Sequence, residues 1–213
     1  MAAKAILAFG DSLTLGADAP NDARHAYEDR WPTVLEAGLN GAARVIPEGL
    51  GGRTTAFDDF SAADRNGARL LPTMLSTHNP LDLVILFLGT NDLKPYMHGT
   101  AFQASLGIKR LIEIIRYFPY NRGGSVPKII IVSPPEVVDT GHPEFKYMFP
   151  DMIAESKLFP LHYERVASEG GCGFFDAAKV ARAGAFDGVH LDAENTRAIG
   201  VGLVPVVKEV LGL

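Results

Sequence analysis

Four short segments of this chain place groups capable of nucleophilic chemistry beside glycine-rich turns. In FGDSLTLG, residues 9–16, Ser12 follows an apolar run in a turn that Gly10 and Gly16 permit. Its hydroxyl could act as a nucleophile, although Asp11 or Ser12 could equally cap a helix. The turn is neither a GxSxG elbow nor a GxxxxGK phosphate loop. In LGTND, residues 88–92, Asn91 carries an amide suited to an oxyanion, or to a cap or Asx-turn. In EGLGGRTT, residues 48–55, three glycines within four residues allow close backbone approach, and the Gly52 N–H could donate to the same oxyanion. In FDGVHLD, Asp187 and His190 lie three residues apart, a spacing at which a carboxylate can orient an imidazole. Each segment alone is a weak signal, because a surface turn or helix cap would use the same residues.

Their joint placement is more specific, because each falls at the end of a strand-length apolar run or just before a helix. Such runs occur at Ala5 to Phe9, Ala43 to Pro47, Leu83 to Leu88, Lys128 to Ser133 and Gly173 to Asp176. Their apolarity is continuous, as expected for strands covered on both faces. Helical periodicity lies between and after them, over Arg30 to Leu39, Phe102 to Tyr117, Met152 to Ser168 and Ala193 to Leu211. Alternating strands and helices predict a three-layer α/β/α domain, flavodoxin-like, with a five-stranded parallel sheet in the order 2-1-3-4-5. In that order the ligand crevice opens between the first and third strands, where Ser12 and Asn91 would meet. A single domain spanning 1–213 is expected from the length.

Composition narrows the partners. The formal net charge of −5, without a Lys/Arg cluster, argues against nucleic acid. No apolar run is long enough for a membrane span, and the N-terminus has no apolar region leading to a cleavage site, so a cytoplasmic protein is expected. The lone Cys172 cannot form an internal disulfide and reads as a buried small hydrophobe. No metal or cofactor is expected, and His25, His78, His98, His142 and His162 read as surface or loop residues without ligand spacing.

Taken together, FGDSLT, the Gly52 turn, GTND and DGVH resemble the four blocks of the GDSL esterases, also called SGNH hydrolases, in order and over nearly the whole chain. The resemblance implies a catalytic set of Ser12, Asp187 and His190. It also implies an oxyanion hole formed by the Ser12 and Gly52 N–H groups with the Asn91 amide. Within that family the chain is similar to the bacterial arylesterase and acyltransferase branch, through EGLGGRTT, LGTNDLK and DGVHLD. The glycine block usually has Asn before its glycine, whereas here Glu48 and Gly49 precede Leu50. The branch implies hydrolysis of acetyl and other short acyl esters, including aryl esters, with acyl transfer to alcohols or peroxide. It implies homo-oligomers too, commonly octamers, whose loops narrow the site.

Leu13, Trp31 and Val189 are expected to line the crevice and bind substrate. Three long loops, Ala17 to Asp29, Asp92 to Ala101 and Glu136 to Asp151, are expected to carry function or contacts. Phe145, Tyr147, Met148, Phe149 and Phe159 form an apolar cluster in or just after the last of these. It reads as an oligomer interface in preference to a satellite core, because aromatic and Met side chains are enriched at interfaces. Two other functions remain open: a carbohydrate acetylesterase with the same catalytic parts, and a flavodoxin-like module holding a phosphate at a helix N-terminus.

Overall fold

A computed structural model describes residues 3–97, 99–121 and 123–213, so His98 lies outside the described residues. Five parallel strands form the main sheet: β1 (Lys4–Gly10), β2 (Ala43–Gly49), β3 (Leu83–Phe87), β4 (Lys128–Ser133) and β5 (Gly173–Asp176). Their spatial order is β2-β1-β3-β4-β5, which is the predicted 2-1-3-4-5 arrangement.

Successive strand side chains point to opposite faces, and each face builds its own core. Leu7, Phe9, Val84, Leu86 and Ile131 pack on one side against α2 (Gly67–His78), α3 (Ala101–Tyr117) and α4 (Phe159–Glu169). Ile6, Ala8, Ile85, Phe87 and Val132 pack on the other against α1 (Trp31–Gly38) and α5 (Ala193–Leu211). Both sheet faces are therefore covered, which accounts for the continuous apolarity of the strands.

Two helical expectations need correction. Helix α2 occupies a segment for which the sequence reading expects no helix; Pro72 lies inside it and reads as a breaker. The Asn66 side chain nevertheless accepts from the Ala68 N–H at 3.0 Å to start the helix, and buried Leu71 and Leu75 anchor it. The single helix expected over Met152 to Ser168 is two: a short turn at Ile153–Ser156, then α4, with a proline in the first turn of α4.

The aromatic cluster is mostly core. Phe149 and Phe159 are buried, and Phe145 and Met148 pack against them, whereas Tyr147 is 73% exposed. Among the described residues, no helix is long and apolar enough to cross a membrane.

Candidate active site

Strand register brings the first three segments to one rim. Gly10, the last residue of β1, pairs with Gly49 of β2 on one side and Phe87 of β3 on the other, so three strand ends are level. Ser12, Gly52 and Asn91 follow within two to four residues of those ends. Gly49 has to be glycine here, since a Cβ on it would lie 2.2 Å from the Leu15 N atom. Gly52 adopts φ +78°, the left-handed region that disfavours side chains.

Asp11, not Ser12, caps the short helical turn Ser12–Leu15, its Oδ1 accepting from the Leu13 N–H at 2.9 Å. The Ser12 hydroxyl is thus free for another partner. Ser12 Oγ lies 2.9 Å from His190 Nε2, and His190 Nδ1 lies 2.5 Å from Asp187 Oδ2. The other Asp187 oxygen accepts from the N–H groups of Val189 and His190, both at 2.9 Å. Asp187 is only 2% exposed. Burial opposes its charge, but these hydrogen bonds and the imidazole outweigh burial and hold its carboxyl below the usual carboxylate range.

A carboxylate can only accept, so Nδ1 carries the proton and Nε2 presents a lone pair to the Ser12 O–H. That chain of contacts can draw a proton from the serine as its oxygen attacks.

Asn91 is buried in a 3-10 turn, Thr90–Leu93, where its Nδ2 donates to the Arg53 carbonyl at 3.1 Å. A long 3.5 Å contact runs from Nδ2 to Asp11 Oδ2. Both neighbours are acceptors, which fixes the amide nitrogen on this side. One of its two N–H bonds is firmly used and the other only loosely. Neither the Ser12 N–H nor the Gly52 N–H meets an acceptor among the described residues.

Some predicted contacts are not made. Trp31 is 0% exposed, packed edge-on against Phe87 at 5.9 Å on the α1/α5 side of the sheet, and cannot line the crevice. A large ring at the start of a helix is stabilised more by full burial than by a place on a wall. Leu13 and Val189 are likewise buried, one in each core, and support the Ser12 and His190 turns from below. His25 is no surface residue, because its buried Nε2 bonds the Leu191 carbonyl at 2.9 Å.

Other residues join the site unforeseen. The buried Arg53 guanidinium donates to the carbonyls of Gly10 and Glu48 and lies over the Phe9 ring, tying the ends of β1 and β2 together. Burial lowers it to about 10, against the opposing charges of Glu48 and Asp11, so it stays charged near neutrality. An arginine directly after the glycines was its only trace in the sequence. Phe145 meets the His190 ring edge-on at 5.7 Å, from a loop with no local signal of that contact.

Beneath the rim, two buried carboxyls face each other electrostatically. Burial raises Asp11 to about 6, against the Leu13 N–H and the charges of His190 and Arg53. Burial raises Asp92 to about 7, against hydrogen bonds from the Thr55 hydroxyl and N–H, while Asp11 adds to the rise. Asp92 therefore holds a proton in the folded state that the unfolded chain has already released above the ordinary carboxylate range. Its contribution to stability is fully present below that range and is lost as pH rises through about 7. The lowered Asp187 titrates below this window and does not offset it. At about 1.4 kcal/mol per pKa unit, the Asp92 effect is on the order of 4 kcal/mol. Urea unfolding of wild type and Asp92→Asn at pH 5 and pH 8 should therefore show the wild type losing ground to the variant at the higher pH. A difference independent of pH would refute this account.

Residues 8–198 match the profile of the GDSL-like lipase/acylhydrolase family. The chain belongs to that family. It is a carboxylic ester hydrolase with the SGNH hydrolase fold. Among solved structures, it resembles a carbohydrate acetylesterase family member from Sinorhizobium meliloti at 53% identity and TM-score 0.96, over 99% of this chain and 100% of that one. The native M. smegmatis aryl esterase is 39% identical with TM-score 0.93, over 98% of this chain and 100% of that one. A second carbohydrate acetylesterase from Sinorhizobium meliloti is 34% identical with TM-score 0.92, over 97% and 99% of the two chains. A comparison with curated proteins found no match. No cluster of three or more His, Cys, Asp or Glu that could hold a metal occurs among the described residues.

Proposed function

We propose that this chain hydrolyses short-chain, acetyl-type carboxylic esters, aryl esters included, through a covalent acyl-enzyme on Ser12. The observation that carries this reading is the continuous relay from Ser12 Oγ through His190 to buried Asp187, at 2.9 and 2.5 Å. Ser12 Oγ attacks the ester carbon while its proton passes to His190 Nε2, and Asp187 stabilises the imidazolium. The oxyanion is received by the N–H groups of Ser12 and Gly52 and by the loosely held N–H of Asn91. When the intermediate collapses, the alkoxide leaves with the proton from His190. Water then attacks the acyl-enzyme, giving its proton to His190, which passes it to Ser12 Oγ as the C–Oγ bond breaks and the acid departs. An alcohol in place of water gives acyl transfer by the same steps.

Asn91→Ala is expected to lower kcat for an aryl acetate by roughly a hundred- to a thousandfold, since one preorganised oxyanion donor is worth about 3–4 kcal/mol. KM should change much less, because the donor acts on charge that develops after binding. The direct test of the mechanism is covalent: a fluorophosphonate should modify the wild type once, on the peptide containing Ser12. Modification elsewhere, or none in a protein that hydrolyses esters, would overturn the assignment.

A carbohydrate acetylesterase is the second reading, favoured by two of the neighbours named above. Comparing kcat/KM for an aryl acetate with that for an acetylated sugar separates the two. The homo-oligomer implied by the family resemblance belongs to the same proposal, supported by the exposed rings of Tyr147 and Phe186. Sedimentation showing a clean monomer would remove it.

A further inference from the structure

A cavity of about 180 Å³ opens beside His190, between the 17–24 ribbon and the 184–193 loop. Ala19, Pro20, His25, Phe186 and Leu191 line it together with His190, whereas Ser12, Gly52 and Asn91 do not. The polar side chains at its margin are few, and each is tethered through at least one atom to the protein. His25 Nε2 is held by the Leu191 carbonyl at 2.9 Å, Asp18 Oδ2 accepts from Asn21 at 2.8 Å, and Asp192 Oδ1 accepts from the Asn195 N–H at 2.8 Å. What remains to face a ligand is mainly carbon. Phe186, half-exposed, is held in place by an edge contact to His142 at 5.6 Å and by Thr140, whose hydroxyl donates to the Phe186 carbonyl at 2.9 Å.

The chemistry of the collapsing intermediate decides which part of an ester this cavity receives. The oxyanion must point at the donors of the Ser12, Gly52 and Asn91 rim. The leaving oxygen must lie within reach of His190 Nε2, which returns the proton to it. The alcohol part of the ester therefore lies on the imidazole side, where the cavity opens. An apolar cavity of about 150 Å³ suffices to hold benzene, so this one has room for a single ring. A sugar placed there would set its hydroxyls against a lining that is mainly carbon and would lose more hydration than the few polar groups at the margin restore.

We infer that this cavity is the leaving-group subsite and that it selects a planar aryl alcohol over a sugar. The inference rests on the acyl-enzyme reading above and adds a substrate class to it. Its test uses acetyl esters that share one acetyl-enzyme and differ only in the alcohol: phenyl acetate, methyl acetate and an acetylated glucose. Ala19→Trp fills the cavity and should reduce kcat/KM for phenyl acetate about tenfold more than for methyl acetate, the scale at which pocket fit discriminates. Phe186→Ala removes a half-exposed wall without disturbing the core, and should reduce the phenyl-to-methyl preference in the same direction. In the wild type, phenyl acetate should exceed the acetylated glucose in kcat/KM.

Equal effects of both substitutions on the two simple esters would overturn the assignment. So would a change that follows acyl length, seen by comparing phenyl acetate with phenyl butyrate, because the cavity would then hold the acyl chain. Fluorophosphonate labelling of Ser12, measured in each variant, keeps the two proposals apart. Normal labelling without alcohol discrimination removes only the subsite, whereas no labelling of the wild type removes the acyl-enzyme reading and the subsite with it.

Discussion

Ser12→Ala is expected to lower kcat for an aryl acetate by about a millionfold, the loss seen when a serine hydrolase is deprived of its nucleophile while its binding groups remain. The fold should be indifferent to the change. Asp11 provides the cap of the 12–15 turn, so the helix start does not depend on the serine side chain. The hydrogen bond from Ser12 Oγ to His190 Nε2 ends at an imidazole that is partly open to solvent, so water can take the place of the lost hydroxyl. Progress curves at high enzyme concentration, with thermal unfolding of both proteins, check both halves. A loss smaller than about a hundredfold would point to another nucleophile, since the oxyanion donors alone do not retain so much activity. A large drop in melting temperature would show that the turn depends on the serine after all.

The strands were readable because both faces of the sheet are covered, which leaves an uninterrupted apolar run in each of the five segments. The helix α2 was not, because Pro72 in its second turn looks like punctuation when local sequence is all that is seen. Its stability comes from Leu71 and Leu75 packing on the core, a tertiary effect. The same distinction runs through the site. Ser12, Gly52, Asn91 and the Asp187/His190 pair could be picked out because each stands in a turn whose residue types are themselves informative. Trp31 was misplaced because proximity in sequence to a long loop says nothing about which way a side chain faces. Phe145 reaches His190 across 45 positions, and the Arg53 carbonyl that orients Asn91 lies in the loop after β2, which β1 separates from the strand that leads to Asn91. Contacts of that kind are set by strand order, and only the order itself was legible beforehand.

The Asn66 cap and the Asp11 cap also show why single motifs stayed ambiguous. Both are turn-forming residues ahead of a helical turn, yet only one stands beside a nucleophile. In FGDS the capping reading and the nucleophile reading turn out to be compatible, since adjacent residues take the two roles. The carboxylate that caps the turn also contacts the amide of Asn91, so a single buried group joins the serine turn to the opposite side of the rim.

Asp187→Asn is expected to lower kcat by about ten-thousandfold with the fold intact. The amide can keep its oxygen toward the N–H groups of Val189 and His190, which Asp187 Oδ1 now serves at 2.9 Å. Its nitrogen then faces His190 Nδ1 and donates to it. That forces the ring proton onto Nε2, the atom that must accept from Ser12, so the imidazole is held in the tautomer that cannot act as base. The loss should therefore be one of proton transfer, with substrate binding little changed, and a rise in KM of comparable size would contradict it. Because Asp187 acts only through His190, adding Asp187→Asn to His190→Ala should cost almost nothing further. If the two losses instead multiplied, Asp187 would be contributing to the transition state by a route other than the imidazole.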